Sequence, residues 1–322
     1  MEIVELRPMS LGELLDRTFS LYRRHFWVFV GIMAIPYTFS IPMNFLLLSF
    51  QGSMFTSIGT SGQPPSPAIF GEFFAGIFVF LLIFWVVYSI AMAAATHAVA
   101  EVYLGRAVTV RDSYSRIRGK FWRLMGVIFN IGLRIFGIVI LIVGVFAGIA
   151  AGVGAAGGMR SSPGFAIAIM IVAVFAYLAA LAFCVYFSLR YAVAVPVLMI
   201  ENLGVLPAIR RSVQLTRGRR GNIFLALLLA TVISYIGVFL FQMPFAIANM
   251  ITMSSGHFSS LLAFASAASG ALGGSLTGPI FMIVIVLCYY DVRIRKEAFD
   301  LQFMMSSLNP SVAAATGTVS PS

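Results

Sequence analysis

The stretch Ile135–Val153 reads IFGIVILIVGVFAGIAAGV, an uncharged apolar run directly preceded by Arg134. A helix needs about 20 apolar residues to cross a bilayer core, and this run alone is nearly that long. Five further stretches share its character. Spans are expected near 26–50, 73–100, 124–150, 165–189, 223–250 and 260–289. The second, third and sixth are long, which implies tilt or broken helices. The runs are continuous and lack the alternation of lipid-facing strands, so helices are expected rather than a barrel. Composition agrees: of 322 residues, 60% are hydrophobic and 10% charged, with a mean hydropathy of +0.99. Soluble domains carry about 25% charge, so too few charges remain here to cover a globule. The chain reads as an all-α polytopic membrane protein, with residues 1–302 as one integral membrane domain. Soluble enzymes, disordered chains and secreted disulfide scaffolds are excluded.

The charges set the orientation. Basic residues gather before span one (Arg7, Arg17, Arg23, Arg24) and after span two (Arg106, Arg111, Arg116, Arg118, Lys120, Arg123). They gather again after span four (Arg210, Arg211, Arg217, Arg219, Arg220) and at the end of span six (Arg293, Arg295, Lys296). Eighteen of the 21 basic residues thus fall on one side, and the opposite loops hold only Arg160. The positive-inside rule makes that side cytoplasmic and puts both termini there. A bacterial-type cytoplasmic membrane is the expected location. The net charge of +10 then needs no nucleic acid to explain it. No cleaved signal peptide is expected, because the apolar run starts only near Phe26. The outer loops 51–68 and 153–164, rich in Gly, Ser, Pro or Ala, read as short flexible connectors. The tail 303–322 reads as disordered.

The cytoplasmic segments resemble one another. Ser20–Gly31 reads SLYRRHFWVFVG and Ser115–Gly126 reads SRIRGKFWRLMG, matching at Ser, Arg, Phe, Trp and Gly with an offset of 95. A third segment, RRSVQLTRGRRG from Arg210, aligns its Arg210, Ser212, Arg217 and Gly218 with Arg111, Ser113, Arg118 and Gly119. Each lies just before an odd-numbered span. This suggests three repeats, each a cytoplasmic amphipathic helix followed by a transmembrane hairpin. In the first helix, Ser10 and Glu13 fit a capping box. Leu11, Leu14, Leu15, Thr18, Phe19 and Tyr22 share one helical face. Thr109 is the candidate cap of the second. Phe26-Trp27 and Phe121-Trp122 suit the headgroup level. The alternative is that these helices pack on their own bundle without touching lipid.

Several of these segments resemble a known family. Arg7-Pro8-Met9-Ser10-Leu11-Gly12-Glu13-Leu14-Leu15-Asp16-Arg17 with Tyr22-Arg23-Arg24-His25-Phe26 resembles the start of the glycerophosphodiester phosphodiesterase membrane-domain family. Glu201, Ala208-Ile209-Arg210-Arg211-Ser212 and Leu215-Thr216-Arg217-Gly218 resemble its central signature. The run from Tyr289 to Leu301, YYDVRIRKEAFDL, resembles its closing one. The resemblance implies membrane architecture only. In some relatives this part precedes a soluble phosphodiesterase barrel of about 250 residues, for which this chain has no room.

Residues suited to catalysis are sparse. His25, His97 and His257 are scattered, and none has metal-site spacing with an acid. His97 and Glu101 are four apart and suit a structural hydrogen bond. Cys184 and Cys288 sit in separate spans and read as inert thiols. No phosphate-binding loop, nucleophile elbow or dinucleotide fingerprint occurs, so no enzyme activity, metal or cofactor is expected. Gly144, Gly148 and Gly152, and again Gly270, Gly274 and Gly278, recur every four residues. Such spacing lets helices approach closely, within one subunit or between a subunit and a partner or second copy. Pro36, Pro42, Pro196, Pro244 and Pro279 suggest kinks whose freed carbonyls need partners.

Arg134 and Arg190 escape the orientation account. In straight helices each would lie about 16 Å from the inner boundary at 1.5 Å per residue, near the midplane, where charge is usually functional. There they would line a polar groove holding an anionic group such as a lipid phosphate, with Glu101 or Glu201 as resting partners. Otherwise the cytoplasmic helices run on and both arginines snorkel at the inner interface. The basic residues Arg118, Lys120, Arg210, Arg211 and Arg217 serve topology and would also favour anionic lipids. The expected function is non-enzymatic: a lipid-associated membrane protein or accessory subunit whose partners are membrane lipids. The alternative is a transporter or lipid flippase, which needs a continuous polar path. Polar outer residues (Asn44, Gln51, Glu72, Gln242, Asn249, His257) are few for that.

Overall fold

The computed structural model describes residues 8–61, 67–103, 105–156, 163–254 and 259–297. Among these, every regular element is helical. In chain order they are α1 (Leu11–Arg24), α2 (Phe26–Ser61), α3 (Pro67–Tyr103) and α4 (Val110–Ser115). After a short 3-10 turn (Arg118–Lys120) come α5 (Phe121–Ala156), α6 (Pro163–Tyr191), α7 (Ala194–Glu201), α8 (Val205–Thr216), α9 (Arg220–Ser254) and α10 (Ser260–Glu297). Six helices are long and apolar enough to cross a membrane: α2, α3, α5, α6, α9 and α10. They pack as sequential hairpins, α2 on α3, α5 on α6 and α9 on α10.

The spans are longer than expected. α2 continues to Ser61, so most of the expected connector 51–68 is helical. α5 likewise runs to Ala156. The reason is physical: where water is scarce, a backbone N–H or C=O is satisfied most cheaply by the next helical turn, so helices persist through Gly and Ser of weak propensity. The tail 303–322, Arg7, Arg160, His257 and Ala298–Leu301 lie outside the described residues.

α10 is the central helix, packed by α9, α2, α1 and α3. Met282 through Tyr290 are all buried, as befits a helix that is apolar all round. Its glycines admit neighbours. The Tyr37 ring of α2 lies on Gly274 and Gly278, Gln242 on Gly270, and Phe241 on Gly273. Thr277 in turn faces Gly237 of α9. The α10 glycine row is therefore occupied from within the chain, whereas Gly144 and Gly148 of α5 have nothing within 4 Å of a hypothetical Cβ. Pro279 lies inside α10. The carbonyls of Leu276 and Thr277 just before it accept from the Tyr22 hydroxyl and from Ser234 Oγ (3.1 Å). Burial pushes the Tyr22 hydroxyl pKa up to about 12.

The short helices crowd one end of the bundle, the end where the basic residues lie. α1 starts with the expected capping box: Glu13 N donates to Ser10 Oγ (3.3 Å) and Ser10 N to Glu13 Oε2 (2.7 Å). Thr109 caps α4 by accepting from Asp112 N (3.2 Å). α8 buries Ala208, Ile209, Ser212, Leu215 and Thr216 along one face and exposes Arg210. α7 is a departure from the sequence reading. The chain breaks after Tyr191 and resumes as a buried eight-residue helix, stopped at Asn202 by a φ of 55°. Pro196 sits in its first turn, where the missing N–H costs nothing, so it kinks no span.

Two contacts repeat at this end. Val110 of α4 packs on Gly31 of α2, and Val205 of α8 packs on Gly126 of α5. A Cβ on Gly126 would lie 2.8 Å from Val205 Cγ2. Gly126→Ala is expected to lower stability by about 1–3 kcal/mol through overpacking, and Val205→Ala should relieve it. Thermal unfolding of the single and double variants in detergent tests this, and an unshifted midpoint for Gly126→Ala contradicts the close packing.

Burial is lopsided. Large buried side chains such as Phe29, Leu124, Leu198, Ile209, Tyr289 and Tyr290 gather near the short helices. Farther along, α5 and α6 present Phe136, Leu141, Met170 and Phe175 outward. In water such a surface would mark an interaction site. Beside lipid tails, themselves apolar, it carries no such cost.

Candidate functional site

α6 ends where α8 meets it. The last carbonyls of a helix lack intrahelical partners. Here the carbonyl of Arg190 accepts from Ser212 Oγ (3.1 Å) and Thr216 Oγ1 (3.3 Å) of α8. This join fixes the last turn of α6 and the side chains it carries: Tyr186, Phe187, Arg190 and Tyr191.

The structure brings Arg134 and Arg190 to one ring. Arg134, from α5, donates to the Tyr191 hydroxyl (3.3 Å), and its guanidinium lies 5.9 Å from the ring centroid. The Arg190 guanidinium lies 5.9 Å from the centroids of both Tyr191 and Phe187. A cation over an aromatic face is attracted by the ring quadrupole. Among the described residues, no carboxylate pairs with either arginine.

A third arginine completes the group. Arg220, the first residue of α9, donates to the Tyr186 hydroxyl (3.1 Å) and lies 5.0 Å from that ring. Arg220 begins α9 and Arg190 lies in the last turn of α6, so the cluster lies toward the basic end of the bundle, while Arg134 is the fourteenth residue of α5. The Nε atoms of Arg190 and Arg220 are buried and have no hydrogen-bond partner among the described residues. In the sequence Arg220 is one of five basic residues in the loop after span four. Its one available signal was its place as the last basic residue before span five.

The two glutamates have other partners. Glu201 was expected beside Arg134 or Arg190. It instead accepts from Arg211 Nε (3.2 Å) and the Tyr289 hydroxyl (2.9 Å), with Arg293 Nε at 3.9 Å. Glu297 closes the group through Arg211 and through Arg293 Nε (3.4 Å). Arg293 also donates to the Tyr289 hydroxyl (3.0 Å). Two arginines and two glutamates thus tie the end of α7 to α8 and α10. Burial pulls the Arg211 pKa down, but the hydrogen bond to Glu297 and the charges of Glu201 and Glu297 outweigh it and the net shift is upward. Glu101 pairs with Arg106 (3.3 Å) and, four residues back, with His97 (3.9 Å). The physical reason is reach: both acids lie at helix ends beside nearer cations.

The remaining basic candidates divide. Lys120 Nζ donates to the carbonyl of Met199 (2.9 Å) and so anchors the 3-10 turn to α7. Arg118, Arg210 and Arg217 are exposed. Cys184 and Cys288 are free, the second buried. Among the described residues, no group of three or more His, Cys, Asp or Glu could hold a metal ion.

Six membrane-length helices, joined by short helices at one basic, aromatic end, define a multi-pass, all-helical membrane protein. The chain belongs to the family of unknown function DUF7544, whose match covers residues 26–305. No curated protein and no solved structure matches it. This membership overturns the resemblance to the glycerophosphodiester phosphodiesterase membrane-domain family. The stretches behind that resemblance serve as a helix cap, an apolar helix face and a basic flank. Any helix that leads into a membrane span has those needs, so the likeness is not specific to one family.

Proposed function

We propose that this protein is a non-enzymatic membrane protein that holds an anionic lipid headgroup at its basic end, as a lipid-associated protein or accessory subunit. One observation carries the reading. Arg134 and Arg190 converge on Tyr191 while the nearby glutamates are spent on other arginines. An arginine pair without a carboxylate partner is suited to phosphate, which a guanidinium meets with two parallel hydrogen bonds. Binding is favoured over catalysis because Glu201, Asp291 and Glu297 are each held by arginine.

The orientation follows the charge bias, with the basic end in the cytoplasm of a bacterial-type cell. Exposed Trp27 and Trp122, 81% and 83% accessible, would then lie in the headgroup layer of the inner leaflet. Each stands edge-on to its preceding Phe at nearly the same distance, 5.2 Å and 5.4 Å. We further infer three copies of one unit, a short surface helix followed by a hairpin. The two Gly–Val contacts support this, since Gly31 and Gly126, like Val110 and Val205, are 95 residues apart.

Native mass spectrometry from mixed-lipid micelles tests the site. The Arg134→Gln/Arg190→Gln variant is expected to lose anionic lipid about tenfold relative to wild type, as for charged hydrogen bonds, with an unchanged melting midpoint. Equal retention removes the site. Substrate flux or lipid scrambling in reconstituted vesicles would favour the transporter reading instead.

A further inference from the structure

We propose that the headgroup site takes a doubly charged phosphate, a monoester or a pyrophosphate carried by a lipid, and that Arg220 on Tyr186 forms its second half. The proposal rests on the anionic-lipid reading above and deepens it. Tyr186, Phe187, Arg190 and Tyr191 fall within an arc of about 140° on α6, at about 100° per residue. Arg220 stands at the Tyr186 side of that arc, Arg134 at the Tyr191 side, and Arg190 on the arc itself. Three guanidiniums from three helices therefore bear on the last six residues of α6.

Charge balance decides the ligand class. Among the described residues, none of the three arginines has a carboxylate partner. A phosphodiester headgroup with one negative charge would leave two cations uncompensated. A dianion leaves one, and its additional terminal oxygens can accept from more than one guanidinium. The remaining hydrogen-bonding capacity is specific, because the buried Nε atoms of Arg190 and Arg220 have no partner among the described residues. Each Nε belongs to the edge of the guanidinium fork that grips a phosphate in bidentate fashion.

A lipid is favoured over a soluble anion by what surrounds the patch. Phe183 on α6, Leu133 and Phe136 on α5, and Phe224 on α9 are exposed beside it. They continue from the arginines along the spans, where acyl chains would lie.

The test uses the full chain in detergent near about pH 8, above the second phosphate ionisation near 6. Phosphatidic acid, phosphatidylglycerol and phosphatidylcholine are offered in equal amounts, and retained lipid is read by native mass spectrometry. Wild type should retain phosphatidic acid about tenfold over phosphatidylglycerol. Arg220→Gln should bring that ratio close to one while still retaining both above phosphatidylcholine. Arg220→Lys, which keeps the charge and loses the fork, guards against a folding defect and should give a partial preference. Equal retention of the two anionic lipids by wild type overturns this proposal and leaves the anionic-lipid site standing. No retention of either above phosphatidylcholine removes that site as well. A full preference in Arg220→Gln overturns the role of Arg220. Inorganic pyrophosphate bound as tightly as phosphatidic acid by lipid-free protein would make the occupant a soluble anion and overturn the lipid assignment.

Discussion

Glu201→Ala is expected to destabilise the protein by about 3 kcal/mol, the scale for removing one partner of a buried ion pair. The Glu201 side chain is 13% exposed and those of Arg211, Arg293 and Glu297 no more than 28%, so screening by solvent is incomplete. Its loss removes one of the carboxylates that Arg211 and Arg293 face and the acceptor of the Tyr289 hydroxyl. The damage falls where α7, α8 and α10 meet. Glu201→Gln keeps an acceptor for Tyr289 but not the charge, and should lose less. Thermal unfolding in detergent measures both. A midpoint for Glu201→Ala within experimental scatter of wild type would mean that the network is ornamental to stability.

Gly274→Ala should have a comparable effect through sterics alone. A Cβ there would overlap the Tyr37 ring, whose atoms also stand 2.7 Å from a Cβ placed on Gly278. The ring is rigid and Tyr37 lies in the continuous helix α2, so α2 and α10 must separate. Overpacking of this kind typically costs about 1–3 kcal/mol. Tyr37→Ala combined with Gly274→Ala should cost less than the sum of the two, the signature of directly touching sites. Gly144→Ala in α5, with nothing nearby, should leave the midpoint unchanged. Similar losses at Gly274 and Gly144 would falsify the assignment of the α10 row to internal packing.

The six spans and the caps were legible because each rests on local chemistry. Apolar length announces a span, and Ser10 with Glu13 needs only a helical turn to satisfy two backbone groups. Arg134 and Arg190 stand out in the sequence because both interrupt apolar runs. Tyr191 as their shared ring does not, since an aromatic residue in a span has many uses. Arg220 was hidden for a related reason: among five basic residues between Arg210 and Arg220, spacing cannot say which one turns back onto α6. α7 was invisible because its buried residues Ala194–Met199 read as the continuation of the preceding span. The partners of Glu101 and Glu201 depend on tertiary reach. Helix from Gln51 to Ser61 was missed because Gly and Ser were weighed by their behaviour in water.

The placement of α10 has a consequence for how the molecule is made. Chains emerge from their N-terminal end at about 5–20 residues per second. The helix against which α1, α2, α3 and α9 pack is thus synthesised after all four of them. Over tens of seconds, on the order of 260 residues at that rate, the preceding spans enter the bilayer one after another without this axis. Grooves that later hold Tyr289 and Tyr290 are then open to lipid or to insertion factors. Hairpins α2–α3 and α5–α6 can form before α10 exists, but a ribosome halted before Ser260 leaves a nascent protein that lacks the helix joining α1, α2, α3 and α9.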